Sequence, residues 1–318
     1  AENNPILIDR FINNAMEVDV DAISDGKDVF VAGVMQHIEE AGIHSGDSSC
    51  VVPAYNLSIG AKNKILSYTK SLAEKLNTIG LINIQYAMKN NKIYVIEVNP
   101  RASRTIPFIS KVKNIPYAKY AAQVSCGTKL KDLDLQYEKT NLIAVKKPVF
   151  PFNKFPKQNI FLSPEMRSTG EVIGFDTQLG SAYAKAEIGA GNILPVNGEV
   201  FISVNNSDKK DIIKIARDFI EMQFSIIATS GTAQLLNQNG ILCKEIFKVG
   251  EGRPNIVDQI KNQKISLIIN TPLGAQSRYD EQKIGKAAIR HNVPVVTTIS
   301  ATQAAIRGIR IMKTGELN

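Results

Sequence analysis

Two rhythms of apolar and polar positions run along this chain. Up to about residue 130 strands and helices are mixed: ILIDRFI, EVDVDAI and VFVAGVMQHI read as strands. The stretch 58–79 spaces Ile65, Leu66, Leu72, Ala73, Leu76 and Ile79, with Thr69 in part, on one face of a helix, with Ser58 as its N-cap. LINIQYAMKNNKIYVIEVN alternates faces on both sides of Asn90-Asn91, which predicts a β-hairpin. A helix is expected over 116–124. From 128 to 170 the pattern loosens, and KPVFPFNKFPKQN, rich in proline and phenylalanine, reads as a strand leading into an extended loop packed on the first unit. A short helix over 181–187 closes that unit.

After Gly189-Ala190-Gly191-Asn192 the rhythm becomes a regular alternation. VFISV, FSIIA, ISLIIN and PVVTTI read as strands, with helices expected over 208–222, 232–238, 256–260, 280–290 and from about 301. Continuous apolar strands separated by amphipathic helices predict a parallel sheet covered on both faces. No internal repeat or low-complexity segment stands out.

At 318 residues, two domains are expected. The chain is 44% hydrophobic and 21% charged, with no apolar run of membrane-spanning length. AENNPILIDR lacks the features of a secretory signal. Cys50, Cys126 and Cys243 lie far apart and, with His37, His44 and His291, show no zinc spacing; this fits a reducing, cytoplasmic setting, an organelle being the other possibility. The net charge of +8 comes without a basic stripe or recognition helix, so nucleic acid is not expected as a partner. Small phosphorylated ligands and a merely solvated basic surface explain it equally well.

Candidate chemistry gathers at strand ends. The second hairpin strand ends in Glu97, Asn99, Arg101 and Arg104. Glu97 and Asn99 share a face, and the turn brings Gln85 close to a position opposite Glu97. Two amide oxygens and a carboxylate, with guanidiniums behind them, suit a hard divalent cation and the phosphates it bridges. The preceding Tyr94-Val95-Ile96 reads as a buried strand core, which makes a lone solvated carboxylate the weaker reading. AGIHSGDS (41–48) is suited to wrapping a ligand. In the second unit, Ser203, Lys209, Thr229, Thr232, Lys248 and Asn270 all follow strands, where an open parallel sheet binds anions. A phosphate monoester fits them; a plain helix cap is the alternative for Thr229-Ser230-Gly231-Thr232.

IEVNPRASRT, QHIEEAGIHSGDS, PFNKFP, SPEMRSTGEV, ATSGTA and EGRPNI together resemble the carboxyl-terminal half of the carbamoyl-phosphate synthase large chain, over essentially all of this sequence. The resemblance implies an α/β protein: an incomplete ATP-grasp (α+β) domain over residues 1–191, then a three-layer, parallel-sheet, methylglyoxal-synthase-like regulatory domain over 192–318. It implies a ligase in which the second ATP-grasp module phosphorylates carbamate for arginine and pyrimidine synthesis. By the same resemblance Arg10 and Ile12 line the adenine pocket, Glu17 takes the ribose, and Gly42, Ile43, His44 and Ser45 form a loop against the nucleotide. Gln85, Glu97 and Asn99 hold Mg2+ or Mn2+, Gln85 and Glu97 also contacting ATP, and Arg101 and Arg104 clamp the transferring phosphoryl group. The six strand-end residues of the second unit bind a nucleotide monophosphate effector. The implied partners are the rest of the large chain and a glutamine amidotransferase small subunit, in an oligomeric enzyme.

Departures from the family pattern also carry expectations. The glycine-rich lid and its lysine lie outside this sequence, so this chain alone is not expected to make carbamoyl phosphate. Glu39 and Asp47 match acidic positions of the ornithine site in ornithine-activated members, but Lys147 stands where those carry Glu, and Val295 where they carry Tyr. A lysine repels a diamino acid, so ornithine activation is not expected. Pro272 replaces a threonine that some members place beside the effector phosphate, leaving the nucleotide's identity open. Thr271 stands where methylglyoxal synthase carries Asp, so lyase activity is not expected. A biotin-type carboxylase would need a region that this sequence lacks, and a non-catalytic regulatory fragment describes the isolated chain in part.

Overall fold

A computed structural model describes residues 8, 12, 15–135, 141–152, 154, 162, 165–271 and 275–317. The first unit contains β1 (Met16–Asp25), β2 (Val29–Glu40), β3 (Cys50–Val52), α1 (Ile59–Lys75), β4 (Ile79–Lys89), β5 (Lys92–Asn99), α2 (Ile106–Lys113), α3 (Tyr117–Ser125), β6 (Ile143–Val149), β7 (Gly170–Asp176) and α4 (Leu179–Gly189). Its seven strands form an antiparallel sheet in the order β5-β4-β1-β2-β3-β6-β7. Residues 190–198 lead into β8 (Glu199–Val204), α5 (Lys209–Glu221), β9 (Ser225–Thr229), α6 (Ser230–Gln238), β10 (Lys244–Ile246), α7 (Ile256–Lys261), β11 (Ile265–Thr271), α8 (Ala275–Arg290), β12 (Val295–Val296) and α9 (Ile299–Thr314). These strands form a parallel sheet in the order β10-β9-β8-β11-β12.

Period-two alternation gives the large sheet two unlike faces. Val18, Val20 and Ala22 of β1 pack with Ile65 and Ala73 of α1, while Val51 and Val145 join Tyr183 and Ala186 of α4. On the opposite face Ile23, Met35, Cys50 and Ala144 meet Phe108, Ile109 and Val124 of α2 and α3. The remainder of that second face carries polar side chains. The two units share a core in which α4 lies against Ile306 and Ile309 of α9. The approach is close: a Cβ at Gly180 would come within 2.7 Å of the Arg307 carbonyl oxygen.

Several local expectations hold. Ser58 caps α1, its hydroxyl accepting from Ala61 N at 3.2 Å. Asn90 and Asn91 take φ values of 50° and 61°, the left-handed pair that a two-residue hairpin requires. The expected helix over 58–79 stops earlier, because Asn77 is left-handed (φ 48°) and the chain enters β4 at Ile79; Leu76 and Ile79 are therefore exposed and not part of its buried face. Tyr94-Val95-Ile96 is likewise no buried core: β5 is the sheet's edge strand, and all three residues are at least 41% exposed. All of the strand read at ILIDRFI except Ile8 and Ile12, which belong to no element, and most of the loop around PFNKFP lie outside the described residues, as does Pro272. The short elements β3, β7, β10 and α2 were not anticipated.

Candidate functional site: a polar stripe across the large sheet

One line of polar residues crosses six strands of the large sheet. Register pairs Glu97 on β5 with Gln85 on β4, and Gln85 with Asp19 on β1. On the far side His37 on β2 is opposite Cys50 on β3, which is opposite Lys146 on β6. The two halves meet where His37 Nε2 lies 3.1 Å from Asp19 Oδ2 and Nδ1 lies 3.5 Å from Glu17 Oε1. At the edge, Asn99 Nδ2 donates to Glu97 Oε1 at 2.7 Å, so the expected trio is brought together. A register shift between Gln85 and Tyr86 kinks β5 here, as bulges next to sites do.

Gln85, Glu97 and Asn99 offer only hard oxygen ligands, and Glu97 is exposed. That donor chemistry fits Mg2+ or Mn2+. Glu17, Asp19 and His37 form a different cluster, almost fully buried, whose donor atoms lie within 4.8 Å of one another. Burial pushes the Glu17 carboxyl up to about 7 against the pull of the His37 imidazolium. Burial disfavours the charged imidazole, yet Cys50, Glu17 and Asp19 together hold His37 well above the ordinary histidine value.

Loop 41–48 is tied to the β6 end of the stripe through Lys146. Ala41 N donates to Ala15 O at 3.0 Å, which starts the loop two residues from Glu17. Gly42 has φ 113°, a conformation that side chains resist. His44 Nδ1 accepts from Gly46 N at 3.0 Å, so this histidine organises its own loop. Lys146, 1% exposed, donates from Nζ to Ser45 O at 3.0 Å.

The basic turn after β5 is held from beneath by Asp21, which sequence reading overlooked. Its carboxylate accepts from Asn83 Nδ2 at 2.9 Å, Ser103 Oγ at 2.7 Å and Thr105 Oγ1 at 2.5 Å. Ser103 and Thr105 flank Arg104, so a buried carboxylate fixes the backbone from which that guanidinium projects. Arg101 is exposed, its Nη1 donating to Ala102 O at 3.0 Å. The alternation EVDVDAI, with acids at every second position, was the available signal for Asp19 and Asp21. Arg10 lies outside the described residues, and Ile12, half-buried, belongs to no element.

In the smaller sheet Ser203 is in register with Asn270, and Thr229 Oγ1 donates to Ser203 Oγ at 3.3 Å. Thr229 is the N-cap residue of α6 by position, but its side chain makes no capping bond. Lys209 opens α5, and a Cβ on Gly231 would come within 3.7 Å of its Nζ. Thr232 is buried in the first turn of α6. These five residues are brought to one sheet edge. Lys248 is exposed beyond β10, where its charge acts on Asp280 of α8.

Between the two sheets opens a cleft of about 780 Å³, lined by Glu39, Asp47, Lys147, Glu187 and Asn270 among others. Its charges are matched. Lys147 Nζ sits 2.8 Å from Glu187 Oε1, Glu39 accepts from Ser48 and Ser49, and Asp47 accepts from the backbone N–H groups of Arg167 and Ser168.

Comparison with known proteins adds the lineage. Residues 1–133 match the carbamoyl-phosphate synthase L chain, ATP binding domain, and residues 211–297 match the MGS-like domain. The carbamoyl phosphate synthase large chain of Acidobacterium capsulatum is 50% identical over 97% of this chain, and that of Archaeoglobus fulgidus 51% identical over 100%. This chain spans 29% and 30% of their respective lengths. The "Carbamoyl phosphate synthase large chain, C-terminal section" of Aquifex aeolicus is 44% identical over 98% of this chain, which covers 62% of it. Among solved structures, the biotin carboxylase domain of a single-chain bacterial carboxylase is similar over 56% of this chain and 47% of its own, with a TM-score of 0.47 and 14% identity. An ATP-grasp sheet bearing the Gln85–Glu97–Asn99 edge and an MGS-like sheet lie in one sequence that is half identical to synthase large chains from end to end; the chain belongs to the carbamoyl-phosphate synthase large-chain family.

Proposed function

We propose that this chain supplies the metal–nucleotide edge and the regulatory domain of a glutamine-dependent carbamoyl-phosphate synthase. Residues 1–191 would serve the ATP-grasp module that phosphorylates carbamate, and 192–318 the module that binds a nucleotide monophosphate. The observation that carries this reading is the cross-strand pairing of Gln85 with Glu97, with Asn99 hydrogen-bonded to Glu97, directly before the arginine turn. Gln85, Glu97 and Asn99 would hold Mg2+ or Mn2+. When bound there, the ion would supply positive charge that neutralises the nucleotide's phosphates.

The reaction passes the γ-phosphoryl group of ATP to a carbamate oxygen. A new P–O bond forms, the bond to the β,γ-bridging oxygen breaks, and ADP leaves with that electron pair. Such transfer asks the protein for position and charge rather than covalent chemistry. Glu17 accepts hydrogen bonds from the ribose, with Arg10 and Ile12 at the base. Gly42, Ile43, His44 and Ser45 close against the nucleotide, and Arg101 and Arg104 clamp the moving phosphoryl group. Asp21 keeps the Arg104 turn in place through Ser103 and Thr105.

Ser203, Lys209, Thr229, Thr232, Lys248 and Asn270 take the effector's phosphate and sugar. Turnover belongs to the whole large chain together with its amidotransferase partner, and this segment alone is inactive. Calorimetry on the full-length large chain tests the reading: Glu97→Ala abolishes Mg–ATP binding at this module, and Lys248→Ala weakens the monophosphate alone. Loss of both ligands in either variant would contradict the assignment of two separate sites.

A further inference from the structure

Glu17 is 3% exposed, and among the described residues no group hydrogen-bonds its carboxylate. Its surroundings are nevertheless balanced in charge. Two buried carboxylates, Glu17 and Asp19, stand with two buried basic groups, His37 and Lys146, which lie in one row across β2, β3 and β6 with Cys50 between them. His37 is held to Asp19 through Nε2 at 3.1 Å, and this aims Nδ1 at Glu17 Oε1, 3.5 Å away. Nδ1 and Asp19 Oδ1 are buried with no hydrogen-bond partner among the described residues.

A buried carboxylate with its charge offset but no hydrogen bonds calls for neutral donors and not for another cation. Its two oxygens can accept from two adjacent hydroxyls, the arrangement of a ribose 2′,3′-diol. Resting on the nucleotide site proposed above, we infer that His37 is a positioning residue: braced by Asp19, it fixes the Glu17 carboxylate for the sugar hydroxyls and so sets the preference for ribo- over deoxyribonucleotides. The Lys146 charge, farther along the same row, also favours the Glu17 carboxylate, while its bond to Ser45 O ties the nucleotide loop to β6. The imidazole itself touches no reacting atom.

The test measures dissociation constants of Mg–ATP and Mg–2′-deoxy-ATP on the full-length large chain. The unaltered protein is expected to favour ATP by at least tenfold. His37→Asn is expected to cut that ratio to below threefold, Glu17→Gln to do the same, and the double variant to lose no more than either single one, because the residues act as one unit. A ratio unchanged in His37→Asn, or losses that add in the double variant, would overturn the inference. Should His37→Asn fail to fold, His37→Gln is read in the same way, and equal binding of the two nucleotides by the unaltered protein overturns the idea without any variant. Glu97→Gln separates the two levels: if it loses Mg–ATP while His37→Asn keeps its discrimination, only this inference falls; if Glu97→Gln and Glu17→Gln both bind normally, the nucleotide site falls and this inference with it.

Discussion

Asp21 Oδ1 accepts the Ser103 hydroxyl at 2.7 Å, joining the middle of β1 to the turn after β5. The turn that carries Arg101 and Arg104 is therefore not held by its own hairpin alone. Asp21→Ala leaves Asn83, Ser103 and Thr105 without their shared acceptor, and loses about 2–4 kcal/mol of stability, measured by urea unfolding. Ser103→Ala removes one bond, costs about 1 kcal/mol, and moves the arginine turn more than the sheet. Equal stability of Asp21→Ala and the unaltered chain would show that the network holds nothing.

The same carboxyl predicts a pH dependence. Burial pushes Asp21 from its usual 3.8 up to about 6, against hydrogen bonds from Thr105, Ser103 and Asn83 that favour the anion. The folded state therefore binds this proton more tightly than the unfolded chain does. The associated stability is fully present below the unfolded value and is lost as pH rises through the folded one. Relative to Asp21→Asn, which does not titrate, the unaltered chain should lose roughly 3 kcal/mol between about pH 4 and pH 7. A difference between the two proteins that stays flat across this range would refute the assignment.

Lys147 and Glu187 form the cleft's ion pair at 2.8 Å, with side-chain exposures of 14% and 5%. Burial alone would lower the lysine's pKa, but Glu187 and Glu39 raise it above its usual value, so the ammonium stays charged at neutral pH. Lys147→Met strands Glu187 and costs about 3–5 kcal/mol; Lys147→Met with Glu187→Leu costs much less. Because an ammonium already sits among the cleft's acids, ornithine should give no binding heat with the complete enzyme. A measurable ornithine isotherm would contradict this.

In the smaller sheet, Lys209→Ala should weaken a nucleotide monophosphate by about tenfold or more, since a charge-assisted bond to phosphate is worth about 1.5–3 kcal/mol. Lys248→Ala should act less, because this side chain is exposed and lies on the α8 side of the edge. Titrations with uridine and inosine monophosphates read both variants. Mg–ATP affinity should stay as it was; a fall in it would mean that the two sites are one.

What could be read in the sequence was whatever local periodicity and chemistry encode. The hairpin was legible because Asn90-Asn91 permits left-handed φ at both turn positions, and the oxygen trio because Glu97 and Asn99 are two residues apart. The parallel unit was legible from apolar runs such as ISLIIN. Position in a sheet was not. Tyr94-Val95-Ile96 reads as core because nothing local reveals that β5 is an edge. Asp21, His37 and Lys146 escaped notice because their partners lie on other strands, and only the strand order brings them together. The Lys147 charge reversal was visible, but its mate Glu187 lies in a helix read simply as the end of the unit.

The account turns on whether the β4–β5 edge grips the ion that accompanies ATP. Crystals of the full-length large chain grown with Mn2+ and a non-hydrolysable ATP analogue, with anomalous scattering recorded at the manganese edge, address that directly. The expected map has a manganese peak within bonding distance of side-chain oxygens of Gln85, Glu97 and Asn99. A peak at Glu17, Asp19 and His37 or elsewhere, with those three oxygens unliganded, would contradict it.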